Sequence, residues 1–421
     1  MSIALRTLGH RTFGFVRRQS RNFKIMLVRR PLHGVATNLS AQYNSIYATT
    51  LGANPVQLGS LRSAGSAIGA IISLPVGWLI DTHSLKKVFL FGTAMMAVSG
   101  MFYFSAPHWT YLYVAVLLLS VGNRITCTSC SVTCATELAN EERATGRGFC
   151  RTLSAIVTLV VPIAAAWIVS VSGGLNVSGM RPLYAVQVAI FALIFVLLGS
   201  VLRDPAIARR SQGRQRILAD FVDILKQGPD VVRVMFMLAL MELPWSMAQP
   251  FMPLFAHQFK GAGEFVLGGI AVTTSIAPLL AAIPLGRLAD RYGRKKLLFA
   301  LAPLAYVANL CLISATGHNM LLLFGLFFGF NSICMGIASA MAAEIVPKEQ
   351  MGRWIGIVSL VRGLMSIPAP LLGGLIWDRV GPHYVFLAAI LIDLAVRLPI
   401  LASIRETLYL NLGPRDPLPP A

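Results

Sequence analysis

Apolar residues in this chain run in long stretches separated by short polar, basic or Pro- and Gly-containing breaks. No alternation of period two interrupts them. Stretches of this length predict helices that span a hydrocarbon core, about 20 residues each. They exclude a strand barrel, whose signature is short alternating segments. Twelve spans are predicted, near residues 31–52, 55–80, 86–106, 110–137, 147–172, 181–202, 233–257, 265–288, 295–316, 319–345, 352–377 and 382–403. The first is the least apolar and carries Asn38, Ser40, Gln42, Asn44, Ser45 and Thr49. A polar spanning helix faces a bundle interior or a water-filled cavity. In the connection after the sixth span, Leu218, Phe221, Val222 and Leu225 have helical spacing and predict an amphipathic helix on the membrane surface. The predicted organisation is a basic N-terminal segment (1–30), a six-helix bundle (31–202), a linker (203–232), a second six-helix bundle (233–403) and a tail (404–421).

Composition removes the soluble alternatives. Hydrophobic residues make up 56% of the chain and charged residues 13%, against about 25% charged in ordinary soluble domains. The formal charge of +19 would by itself suggest a nucleic-acid partner. Its distribution argues otherwise, because 29 of the 36 Lys and Arg fall on one side of the predicted spans and three on the other. That asymmetry places both termini in the cytoplasm with an even number of spans between them. The expected partner is the lipid bilayer, not nucleic acid. The first acidic residue is Asp81, so the N-terminus also suits anionic headgroups.

The two halves repeat. Gly77, Asp81, Lys86 and Lys87 follow the second span, and Gly286, Asp290, Lys295 and Lys296 follow the eighth at a constant offset of 209. Glu137 leads to Gly146 and Pro162, and Glu344 leads to Gly352 and Pro368, with 16 residues from Gly to Pro in both. Two related six-helix halves are the pattern of a repeat-built secondary transporter.

The string Gly286-x-Leu288-x-Asp290-Arg291-x-Gly293-Arg294-Lys295-Lys296 resembles, in full, the cytoplasmic loop motif of the major facilitator superfamily. The N-terminal copy keeps Gly77, Asp81, Lys86 and Lys87 but has Thr82, Ser84 and Leu85 where the motif has Arg, Gly and Arg. The resemblance implies an all-α integral membrane fold of twelve helices in two pseudo-symmetric six-helix bundles. It also implies that these residues act as a gating latch for one access state, with the glycines allowing close helix approach. The family's Gly-Pro-x-x-Gly-Gly motif reads Val161-Pro162-x-x-Ala165-Ala166 here, and Ala369-Pro370-x-x-Gly373-Gly374 in the eleventh span is closer to it. Leu118 stands where many proton-coupled relatives have an arginine.

In this family, spans one, four, seven and ten line the central cavity. The resemblance therefore makes Asn38, Gln42, Arg124, Trp245, Ser246, Gln249, Asn331 and Met335 candidate substrate-binding residues. Asn38 and Gln42 are four apart, as residues on one helical face would be. Glu242 is the candidate coupling residue, since a charge at mid-membrane requires a partner or a wet site. Arg124 and Glu242 either bind anion and proton respectively or are neutralised within the bundles. Asp393 and Arg397, four apart, predict an internal salt bridge. Cys127, Cys130 and Cys134 share one face of span four, but without histidine or acidic partners they read as filler and not as a metal path. No P-loop, Gly-x-Ser-x-Gly or His-Glu-x-x-His occurs, so neither an enzyme nor an ATP-driven pump is expected, and no cofactor.

The expected function is secondary transport of a small organic molecule by alternating access at the cell membrane. Proton-coupled efflux of an amphipathic compound by a monomer is the first reading. Uptake or exchange of an organic anion bound at Arg124 is the second, and a non-transporting sensor on the same fold the third.

Overall fold

The computed structural model describes residues 18–138, 143–204, 228–346, 351–404 and 406. The predicted surface helix at 218–225 lies outside the described residues. No strand occurs among them. The helices are α1 (Arg21–Ala41), α2 (Asn44–Thr50), α3 (Pro55–Thr82), α4 (Leu85–Ser105), α5 (Tyr111–Glu137), α6 (Arg143–Val171) and α7 (Val177–Val201). After the linker come α8 (Pro229–Ala248), α9 (Met252–Lys260), α10 (Glu264–Tyr292), α11 (Arg294–Ser314), α12 (His318–Glu344), α13 (Met351–Ser366), α14 (Pro368–Arg379), α15 (Pro382–Ile392) and α16 (Leu398–Ser403). A π-helical turn, Asp393–Arg397, joins the last two.

Ten helical stretches among the described residues are long and apolar enough to cross a membrane. The predicted span 31–52 is not among the ten and is divided after Ala41, and the predicted span 55–80 lies within α3, Pro55–Thr82. The first helix starts at Arg21, ten residues before the predicted span. Phe23 and Met26 explain the extension, since both are fully buried and an apolar face there stabilises helix.

The sequence repeat reappears as a shared break. Span one divides into α1 and α2 at Gln42 and Tyr43, and span seven into α8 and α9 at Gln249–Phe251. Each second piece restarts the same way, with Tyr47 N donating to Tyr43 O (2.7 Å) and Phe255 N to Phe251 O (2.8 Å). Broken helices at membrane depth free backbone groups and are where transporters build sites.

The chain forms two compact units. One comprises the described parts of residues 1–41, 71–161 and 181–211. Its core includes Phe23, Met26, Phe89, Met96, Phe191 and Leu198, all fully buried. The other comprises 42–70, 162–180 and the described parts of 212–421. Its core includes Val234, Met237, Leu298, Ala338, Met341 and Trp354. These units do not coincide with the sequence halves 31–202 and 233–403, because 42–70 and 162–180 pack with the C-terminal helices.

Small residues explain that packing. A Cβ on Gly59 would overlap the carbonyl of Pro370 on α14, and one on Gly374 would sit 2.5 Å from the carbonyl of Pro55 on α3. A Cβ on Gly268 of α10 would lie 2.9 Å from the Pro162 carbonyl, beside the Ala166 methyl. Ala165 and Ala166 are themselves fully buried. Backbones come this close only where no side chain intervenes. Tyr43 Oη donates to Glu264 O (3.2 Å) at the same end of the unit.

Candidate functional site

Glu242 lies on α8, well inside the membrane-spanning stretch. Its partner is Arg362 of α13, whose Nε and Nη2 reach Glu242 Oε2 at 3.1 and 2.8 Å. Ser246, one turn on, donates its hydroxyl to Oε1 (3.3 Å). Both charged side chains are partly exposed, 30% for Arg362 and 18% for Glu242, so the pair borders space that a solute or water can reach. A charge-assisted pair is the arrangement that makes an intramembrane carboxylate tolerable. It is also one that protonation of the carboxylate would release.

Trp245 projects from the neighbouring face of α8 and stacks on Phe328 of α12, centroids 4.7 Å apart and planes 9° from parallel. Together with Asn331 it lines a cavity of about 50 Å³ whose lining also includes Tyr306, Asn309, Asp393 and Arg397. Asp393 and Arg397 form the predicted internal pair, with Arg397 Nη2 2.6 Å from Asp393 Oδ2. Tyr306 Oη donates to the same oxygen at 2.5 Å. Gln249 stands at the break between α8 and α9, its N–H donating to Trp245 O (2.9 Å). Met335 packs against the hydrophobic core of its unit.

The pairing of Asn38 with Gln42 on one helical face does not form, because α1 ends at Ala41 and Gln42 lies in the turn beyond it. Asn38 Nδ2 returns to Gly34 O (2.8 Å) within α1. Gln42 is buried and donates to Pro162 O (3.3 Å). In the first unit, Asn123, Arg124, Cys127 and Ser131 form the exposed stripe of α5, while Cys130 and Cys134 face inward and are buried. Arg29 of α1 is buried against the Phe89 ring at 4.6 Å, with Nη2 3.4 Å from His33 Nδ1. Among the described residues no cluster of His, Cys, Asp and Glu suits a metal ion.

The loop motif is held by carboxylates that follow the last span of each half. In the second unit Glu406 accepts from the backbone N–H of Arg294 (3.0 Å) and Lys295 (3.2 Å), capping α11. Lys295 Nζ donates to Ala402 O (2.7 Å) and Ile404 O (2.6 Å). Gly293 has φ of +104°, and a Cβ there would lie 2.5 Å from Glu406 Oε2, so glycine is required on both counts. Asp290 pairs with Arg294 (3.3 Å), which also pairs with Glu344 (2.9 Å). Arg291 lies over the Tyr292 ring at 5.5 Å.

In the first unit Asp204 does the same work for α4. It accepts from Ser84 Oγ (2.5 Å) and from the N–H of Lys86 (2.9 Å). Ser84 has extended backbone geometry and caps Lys87 N itself. The serine in place of glycine is therefore a working cap. The side chain of Asp81 lies outside the described residues. Close approach at Gly77 and Gly286 is not seen, since a Cβ at either position meets nothing within 4 Å. Gly286 instead opens on a groove of about 360 Å³ between α10 and α12. Loss of either cap is expected to destabilise. Asp204→Ala and Glu406→Ala should each lower stability by about 1 kcal/mol, read from thermal melting of the purified protein. Unchanged melting would assign the carboxylates to solvent.

A sequence model described as Major Facilitator Superfamily matches residues 32–268 and 234–407. The chain belongs to the major facilitator superfamily. Macrolide efflux protein A of Streptococcus pyogenes is 21% identical over 80% of this chain and 85% of that protein. Multidrug resistance protein MdtG of Rahnella sp. is 22% identical over 86% and 88%. Multidrug resistance protein 3 of Bacillus subtilis is 35% identical, but over 27% of this chain and 23% of that protein. The crystal structure of a nucleoside transporter, NupG, superposes with a TM-score of 0.72 at 15% identity, covering 91% of this chain and 99% of that one. That likeness establishes the superfamily fold.

As a superfamily member the chain is a multi-pass membrane transporter. Sequence reasoning found Glu242 but not Arg362 as its partner, although both are charges inside apolar spans. It also missed Asp204 and Glu406. Their position, directly after the last apolar span of each half, was the available signal.

Proposed function

We propose that the chain exports an amphipathic organic compound in exchange for protons, by alternating access. The observation that carries this reading is the Glu242–Arg362 pair, a titratable contact inside the membrane beside the Trp245–Phe328 stack. When Glu242 is ionised it holds Arg362 and ties α8 to α13. Protonation removes that attraction and frees the two helices to separate. A cationic group on the substrate competes with Arg362 for the same carboxylate, so proton and cargo exclude each other. The likeness to macrolide efflux protein A of Streptococcus pyogenes supports the direction.

The halves 31–202 and 233–403 are the bodies that rock, joined by 203–232, with both termini cytoplasmic. Gly77 and Gly286, open here, serve as close-approach points in the opposite state, with Asp81, Lys86, Asp290, Arg291, Gly293, Arg294 and Lys295 as the latch. Asn38, Gln42, Ser246, Gln249, Asn331 and Met335 contribute to the cavity lining in the states where it forms.

Proteoliposomes loaded with tetraphenylphosphonium provide the test. An imposed pH gradient is expected to drive its movement, and Glu242→Gln to reduce that movement at least tenfold. Movement independent of the gradient, or untouched by Glu242→Gln, would overturn the coupling role.

A second reading, carriage of an organic anion, is favoured by the charge of the first unit. Arg29, Arg30 and Arg124 lie on α1 and α5, and residues 1–80 and 82–136 contain no Asp or Glu. Thermal stabilisation by salicylate that disappears in Arg124→Gln would promote this reading. Equal stabilisation of both proteins would dismiss it.

A further inference from the structure

The wall of the cavity behind Trp245 contains a polar atom that the fold leaves unused. Asn309 of α11 is 8% exposed. Its Nδ2 donates to Ala305 O at 2.9 Å, which fixes the orientation of the amide. Its Oδ1 is buried and accepts nothing. A buried acceptor without a donor is costly, and the residue that carries this one lines the cavity.

The surroundings select the kind of donor. Asp393 and Arg397 neutralise each other, and Tyr306 completes the carboxylate's bonds. The wall therefore carries no net charge to offer an ion. Trp245 supplies a flat apolar side. The π-helical turn at Asp393–Arg397 sits in the same wall, and such turns occur frequently at functional sites. The cavity, of about 50 Å³, has a mainly apolar lining that includes Tyr306, Asn309, Asn331, Asp393 and Arg397. It has room for a few waters or for one small head group.

We propose that this cavity, inside the C-terminal helices, is a subsite that accepts a neutral hydrogen-bond donor, an amide N–H or a hydroxyl, on Asn309 Oδ1. The proposal rests on the reading of the chain as a carrier of amphipathic compounds and names one chemical group that its cargo presents. Bound water is displaced by the donor, and the stem of the ligand lies along Trp245. An analogue without the donor would strand Asn309 Oδ1 dry, and that asymmetry gives discrimination.

Hexanamide and 2-heptanone are matched probes, because a methyl group replaces the NH₂ on the same carbonyl and chain. Thermal melting of the full-length protein in detergent is expected to rise saturably with hexanamide and not with 2-heptanone. The ketone is the more lipophilic, so partition into micelles would give the opposite order. Asn309→Leu should weaken hexanamide binding at least tenfold. Ala305→Leu keeps Asn309 and fills the cavity, and should do the same, which covers the case in which Asn309→Leu fails to fold. Equal response to both probes, or hexanamide binding unchanged in a folded Asn309→Leu or Ala305→Leu protein, would overturn the subsite. The measurement uses no proton gradient, so its outcome is separate from the role of Glu242 in transport.

Discussion

Arg397→Met is expected to destabilise the protein by about 3–5 kcal/mol, the usual cost of leaving one member of a buried ion pair without its partner. Arg397 is 5% exposed, and both its Nε and Nη2 bond Asp393. Removing it leaves a carboxylate inside the membrane with Tyr306 Oη as its remaining donor among the described contacts. The double variant Asp393→Leu/Arg397→Met removes both charges together. It should recover most of the loss, because the pair also costs desolvation that two apolar residues avoid. Melting of the four proteins in a double-mutant cycle measures the coupling. Additive losses would mean that the two residues act independently and that the pair is a surface contact reached by water.

The second large effect concerns the crossing of α3 and α14. Gly374→Leu places a side chain against the Pro55 carbonyl, and Gly59→Leu places one against the Pro370 carbonyl. Backbone atoms are the obstacle in both, so no rotamer change on the far side relieves the overlap. Overpacking of this kind costs about 1–3 kcal/mol or more, enough to reduce the population of the packed crossing roughly tenfold to hundredfold. Backbone hydrogen exchange in 42–58 and 367–374 should rise, and transport should stop. Gly356→Leu is the control, because a Cβ there meets nothing within 4 Å. It should leave exchange in those segments unchanged. Faster exchange in Gly356→Leu would show that glycine loss acts through general destabilisation, and unchanged exchange in Gly374→Leu would show that the crossing does not hold these segments.

Much of the fold is legible without coordinates. Twelve apolar stretches, the charge asymmetry and the 209-residue offset determine the number of spans and the repeat, and the break shared by spans one and seven extends that repeat into local geometry. The start of the first helix was less legible. Arg29 and Arg30 read as the edge of a solvated segment, yet Arg29 is buried against Phe89. The aromatic face lies against a cation that hydropathy can only count as polar.

The candidate site divides in the same way. Glu242, Trp245 and Asn331 are reached from the sequence because the resemblance places spans seven and ten at the cavity. Arg362, Asn309, Asp204 and Glu406 are not, since each acquires meaning from a partner far along the chain or from the cavity that packing creates. Hydropathy, charge balance and repeat offset are properties of the linear chain, so the sequence alone determined a twelve-span carrier built from two related halves. Which carboxylate holds which arginine, which glycines are in contact and which acceptor is left unpaired depend on helices distant in sequence. The tertiary structure decided these, because contact distance and burial exist only once the helices have packed.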